Sequence, residues 1–172
     1  MARAKSYTKG NFHRTHYITF SCYQRRKLLD SDTPTQIVMN NLADQLIRKK
    51  VSCLAFVIMP NHVHAILHLP IDSQLSPFVQ QWKRISSFQI KKWYQKHQMN
   101  YWKKVPDHEP IWQDGYHAFP IIQENTLFQK QKYIHDNPVR AGLVTQPTDW
   151  QYSSARWEML GKEVGVPLGW NT

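Results

Sequence analysis

The sequence predicts an α/β chain of the α+β kind, with a small sheet and helices laid against it. Three observations predict it. Short runs of strand formers (16–22, 51–58 and 62–69) alternate with longer segments whose apolar residues recur at helical spacing. A tight turn, Met59-Pro60-Asn61, separates two of the strands. The length of 172 residues suits one domain with a real core.

Taken in order, residues 1–14 form a basic arm carrying Arg3, Lys5, Lys9 and Arg14. The first strand, 16–22, puts Ile18, Phe20 and Cys22 on one face. Gln24-Arg25-Arg26-Lys27 is its basic exit. Thr33-Pro34 predicts a helix start, with Thr as N-cap and Pro at the first helical position. Ile37, Val38, Leu42, Leu46 and Ile47 give that helix its apolar stripe. Arg48-Lys49-Lys50 close it, where positive charge suits the helix dipole. The apolar run 51–58 reads as a buried second strand. The third strand, 62–69, turns Val63, Ala65, Leu67 and Leu69 to the core, and His62, His64, Ile66 and His68 to the other face.

Pro70 ends that strand, and a helix over about 76–99 follows, with an imperfect stripe of Phe78, Trp82, Ile85, Phe88 and Ile90. After a loop, residues 111–122 give a turn and then a fourth strand. A last long helix opens at Glu124 or Asn125 and runs to Asn137, where Pro138 ends or kinks it. Gly142 stops a short turn beyond it. The tail, 145–172, is irregular with a short helix. No repeat or linker divides the chain, so 1–172 reads as a single domain.

A net charge of +10 favours an anionic partner, nucleic acid or an acidic membrane. Seven Trp and eight Tyr suit base stacking better than membrane docking, unless they merely fill the core. Cys22 and Cys53 have no metal-ligand spacing and suggest no disulfide framework. No stretch approaches the ~20 apolar residues of a membrane span. Nor does the start carry a signal-peptide apolar region. A soluble protein of the reducing cytoplasm is expected. Residues 73–106 contain no Asp or Glu but hold Lys83, Arg84, Lys91, Lys92, Lys96, Lys103 and Lys104, interleaved with Trp82, Trp93, Tyr94, Tyr101 and Trp102. Such a run is either a solvated face or, threaded with aromatics, a nucleic-acid groove.

The chemistry gathers at two places. His62 and His64 share a strand face, about 6.5–7 Å apart at Cα by the strand rise. Two imidazoles at that spacing can converge on one metal ion and leave positions open for substrate. On a helical wheel of 124–137, Leu127, Phe128 and Ile134 face the core, while Tyr133 and Asn137 are neighbours on the other side with Lys130 beside them. Tyr133 is then either an amphipathic surface residue or a nucleophile needing a polarised electrophile. The amide of Asn137 is a candidate third ligand.

Pro60-Asn61-His62-Val63-His64, followed by Tyr133-Ile134-His135-Asp136-Asn137-Pro138-Val139-Arg140-Ala141-Gly142-Leu143-Val144, resembles the HUH single-tyrosine transposases. It is especially similar to the REP-associated tyrosine transposases, including Ile111-Trp112-Gln113 upstream and Asp149-Trp150-Gln151-Tyr152-Ser153-Ser154 at the close. The resemblance spans roughly residues 15 to 157. It implies a ferredoxin-like antiparallel sheet with helices on one face, plus a tyrosine helix and tail. It implies that His62, His64 and Asn137 hold Mg²⁺ or Mn²⁺, and that Tyr133 attacks single-stranded or hairpin DNA to form a 5′-phosphotyrosine link. DNA contacts are expected from Arg14, Arg25, Arg26, Trp82, Lys83, Arg84, Lys91, Lys92, Lys103, Lys104, Lys130 and Arg140. Lys130, Lys132 and Arg140 have plain surface charge as the competing reading. The resemblance leans toward a monomer with Tyr133 acting in cis over a dimer exchanging that helix, and toward a bacterial, nucleoid-associated setting. A catalytically silent nucleic-acid binder and an RNA-binding module are the competing readings. His68 lies two strand positions beyond His64, too far to join one ion, and His135 falls on the apolar side of its helix.

Overall fold

The computed structural model describes residues 12–98 and 108–170. Strand β1 (Thr15–Ser21) leads to helix α1 (Asp32–Lys49), then to the hairpin of β2 (Ser52–Met59) and β3 (His62–His68). Helix α2 (Leu75–His97), strand β4 (His117–Pro120), helix α3 (Glu124–Arg140) and the short α4 (Ala155–Leu160) follow. The sheet is ordered β2-β3-β1-β4, and every neighbouring pair is antiparallel. The first six elements follow the split β-α-β order of ferredoxin-like folds.

Both faces of the sheet are covered. Helices α1 and α2 pack on one, where Val38, Leu42, Leu46, Phe78, Val79 and Ile90 meet Ile18, Phe20, Val63 and Leu67. Helix α3 packs on the other, with Leu127 and Ile134 against Tyr17, Val57 and Ile66. The histidine face of β3 is therefore the face that looks at α3.

The fully buried β2 is an edge strand. A bulge between Cys53 and Ala55 shifts its alternation by one, so Cys53, Phe56 and Ile58 serve one core while Ala55, Val57 and Met59 serve the other. Its outer edge is closed by the tail. Ile58 N–H donates to Tyr152 O at 2.8 Å, Ser154 N–H to Phe56 O at 3.0 Å, and Gly169 N–H to Cys53 O at 2.9 Å. An edge covered in this way presents no open ladder to another chain.

Three local expectations are corrected. The N-cap of α1 is Ser31, extended at φ −139°, rather than Thr33. Asp32 then meets the positive end of the dipole, and Pro34 still falls among the first four residues, whose N–H groups need no helical partner. Helix α3 does not end at Asn137 but runs through the buried Pro138 to Arg140. Only Ile134 O loses its partner to the proline, and Leu143 N–H closes the end on Pro138 O at 3.0 Å. Ile47, Phe88 and Phe128, read as core-facing, are 69%, 59% and 45% exposed, because each lies at the margin of a stripe narrower than its periodicity suggested.

Trp82, read as a DNA-stacking residue, is fully buried. Its ring meets Phe20 edge to face at 5.1 Å, and its Nε1–H donates to Val38 O at 2.9 Å. Trp82→Ala is expected to cost about 3–5 kcal/mol of stability, as large-to-small changes of buried aromatics do. Chemical denaturation measures this loss.

Candidate active site

The site forms where β3 begins. The rings of His62 and His64 meet edge to face, with centroids 4.7 Å apart and planes at 80°. One neighbour orients each. Asn61 donates its Nδ2–H to Arg25 O at 3.2 Å, which turns its Oδ1 onto His62 Nδ1 at 2.6 Å. An amide oxygen only accepts, so His62 Nδ1 carries the proton and Nε2 keeps a lone pair. Tyr17, diagonally across the β1–β3 ladder, stacks on His64 at 5.6 Å and 22° and places its Oη 2.7 Å from Nδ1. His64 Nε2 is buried and, among the described residues, has no hydrogen-bond partner. When Nδ1–H donates to Tyr17 Oη, Nε2 presents a free lone pair.

Burial lowers His62 to about 4, helped by the Arg25 guanidinium and opposed by a hydrogen bond with the Asn137 side chain. Burial also lowers His64 to about 3, helped by His62, Arg25 and Lys130. Both are thus neutral near pH 7, the state that ligates metal.

Helix α3 brings the second half. Tyr133 stands edge-on to His64 at 5.7 Å and to Tyr17 at 6.4 Å. Asn137, one turn on, bonds His62. Two cations flank the tyrosine: Lys130 Nζ lies 4.8 Å from the Tyr17 ring centre and 5.9 Å from that of Tyr133, and the Arg140 guanidinium lies 4.8 Å from Tyr133. Tyr133, His62 and His64 open into a cleft of about 370 Å³ whose other wall is the loop at 113–117.

Among the described residues no three His, Cys, Asp or Glu cluster as a metal site. The donor set here is two imidazoles and an amide. With the unpartnered Nε2 of His64, a neutral His62 beside Asn137 and positions left open, it fits a divalent cation completed by substrate oxygens.

The family model described as "Transposase IS200 like" matches residues 9–137. The chain belongs to that family. This transposase is similar in fold to a solved REP-associated tyrosine transposase bound to a REP hairpin, at 21% identity over 93% of this chain and 88% of that one, with a TM-score of 0.67. It is also similar in fold to a candidate transposase from Deinococcus radiodurans R1, at 19% identity over 79% of this chain and 97% of that one, with a TM-score of 0.52. No curated protein matches. The tyrosine-transposase reading of the sequence stands, and with it a DNA-processing enzyme. No described helix is long and apolar enough to cross a membrane.

The transposase gathers some of the expected DNA contacts at the cleft and disperses others. Arg25 lines it, and Lys130 and Arg140 flank Tyr133 at its side. Arg14 donates to Pro70 O, and Arg26 pairs with Glu109. Arg84, Lys91 and Lys92 ride on α2, which packs on the sheet face opposite α3. Lys83, also on α2, spends its ammonium on backbone carbonyls of the 113–115 loop. Lys103 and Lys104 lie outside the described residues. Sequence reasoning passed over Tyr17 and the orienting role of Asn61, since neither bond follows from spacing along one strand. It also left His117 without a partner, although that residue lines the cleft.

His135 is buried, with Nε2 2.7 Å from Ser154 Oγ, and burial lowers it to about 4. Folded His64 and His135 therefore resist protonation that the unfolded chain accepts near 6.5. Above that pH neither state binds the proton and nothing is lost. As pH falls from 6.5 toward 4, stability is expected to drop by up to about 1.4 kcal/mol per pH unit for each histidine. Urea midpoints at pH 7 and pH 5 test this on the metal-free protein.

Proposed function

We propose that this transposase cuts and rejoins single-stranded or hairpin DNA through Tyr133, with Mg²⁺ or Mn²⁺ held by His62, His64 and Asn137. The observation that carries the reading is the buried, unpartnered Nε2 of a neutral His64, 5.7 Å by ring centres from Tyr133 of the same chain. The hairpin preference is supported by the hairpin-bound neighbour. Action in cis is supported by the seating of α3 on its own sheet.

A divalent ion bound there supplies Lewis-acid polarisation of a non-bridging oxygen of the scissile phosphate. Tyr133 Oη attacks phosphorus in line with the leaving 3′ oxygen. The Oη–P bond forms as the P–O3′ bond breaks; the phenol proton passes to solvent in the open cleft, and the 3′ oxygen takes one up. The products are a 5′-phosphotyrosine and a free 3′-hydroxyl. The reverse attack by a 3′-hydroxyl rejoins DNA without ATP, because the phosphoester is conserved in the link. Arg25, Lys130 and Arg140 lie where they can meet phosphate charge, and Tyr17 and Asn61 hold the imidazoles in register.

The test is incubation of the protein with 3′-end-labelled hairpin DNA. Labelled protein that survives denaturation is expected with Mg²⁺ or Mn²⁺ and not with EDTA. Tight DNA binding without any labelled protein in either metal would instead make the chain a silent binder.

A further inference from the structure

Lys83 belongs to the basic run that the sequence assigns to DNA, yet the structure gives its ammonium other work. Nζ donates to Gln113 O at 2.8 Å and to Gly115 O in the same loop, and it lies 5.8 Å from the Phe20 ring centre. The side chain is half-buried, and burial lowers its pKa. Gly115, at φ +71°, makes a left-handed turn that favours glycine.

The same loop is fastened elsewhere. Gln113 N–H donates to Ser21 O at 2.8 Å. Trp112 Nε1–H donates to Ser86 Oγ at 3.0 Å, one turn after Lys83 on α2, and the Trp112 ring meets Phe20 at 4.8 Å. These bonds tie α2, on one face of the sheet, to the loop that walls the cleft on the other side. The segment so held supplies Gln113, Asp114 and Tyr116 to that wall, facing His62, His64 and Tyr133.

We infer that Lys83 is a positioning residue: it clamps the 113–115 loop from behind and makes no phosphate contact. The clamp fixes the wall against which the scissile strand is held, so its work is done before DNA arrives. In its effect on turnover the inference rests on the DNA-cleaving reading above. In its effect on the loop it does not.

The experiment compares the wild-type protein with Lys83→Met, Lys83→Gln and Lys83→Arg. Hydrogen exchange of the DNA-free proteins reads the clamp directly. Faster exchange confined to the 113–117 segment is expected in the Met and Gln variants, with protection restored by Arg, whose guanidinium can still donate to two carbonyls. Hairpin binding is then titrated against salt. A phosphate-contacting lysine contributes roughly 0.7–0.9 to the slope of log affinity on log salt. The clamp predicts an unchanged slope, with turnover at saturating DNA reduced about tenfold or more through misplacement of the cleft wall. Unchanged exchange in the Met and Gln variants, or a slope reduced by that full increment, overturns the inference. If the wild-type protein cuts no DNA, the functional reading fails while the exchange result still decides the clamp.

Discussion

Tyr133→Phe is expected to abolish the covalent protein–DNA adduct, lowering labelled protein by at least about 10³-fold, as loss of a nucleophile does. The substitution removes one oxygen from a ring 37% exposed. Stability is therefore expected to stay within about 0.5 kcal/mol of wild type, the range for surface changes. Hairpin affinity should change little, since Arg25, Lys130 and Arg140 remain. The informative failure is an adduct that persists. The neighbouring phenol among the described residues is then Tyr17, 6.4 Å from Tyr133 by ring centres. Peptide mapping of the adduct distinguishes the two, because Tyr17 lies on β1 and Tyr133 on α3. Burial raises the Tyr17 phenol and keeps it protonated, and its Oη is engaged with His64. It is thus the poorer nucleophile on both counts.

His62→Ala or His64→Ala is expected to weaken Mn²⁺ binding by more than about 100-fold, beyond the 10–100-fold typical when only a ligand's supporting partner is lost. Tyr17→Phe and Asn61→Ala should fall inside that smaller range, because they release the rings without removing a donor. Titration calorimetry of the DNA-free protein checks all four. Equal metal affinity in the two histidine variants would remove the metal from this site. Metal-dependent cutting that survived in either variant would sink the mechanism. Gain and loss need not run in parallel here: the buried Nε2 of His64 lacks a partner among the described residues, a condition that costs about 1–3 kcal/mol in a metal-free fold.

The two halves of the site were legible in the sequence because each obeys a local period. His62 and His64 alternate correctly on a strand, and Tyr133 and Asn137 are one helical turn apart. Their convergence came from the family resemblance, since no spacing along the chain says which sheet face a distant helix will cover. The basic run was less legible. Its charges and aromatics have one helical period between them, but Trp82 points into the core and Lys83 toward a loop far downstream. Composition cannot separate a solvated face from a groove, or either from a clamp. The phase of β2 was hidden for another reason: in an unbroken apolar run, a bulge leaves no trace. The closing of its edge by the tail depends on single backbone bonds from irregular residues.

The unequal covering of the sheet has a consequence for how activity is lost. Two helices and most of the large buried side chains lie on one side. On the other, α3 rests on Leu127, Ile134 and a few sheet residues, with polar fastenings that include Gln131 Nε2–H to Leu54 O at 3.2 Å and His135 to Ser154. Layers with less buried apolar area open at lower free energy than the whole molecule. The tyrosine is therefore mounted on the weaker leaf of the protein. On warming, covalent labelling is expected to vanish several degrees before the circular dichroism of α1, α2 and the sheet, as α3 and its Tyr133 come away while most of the molecule is still folded.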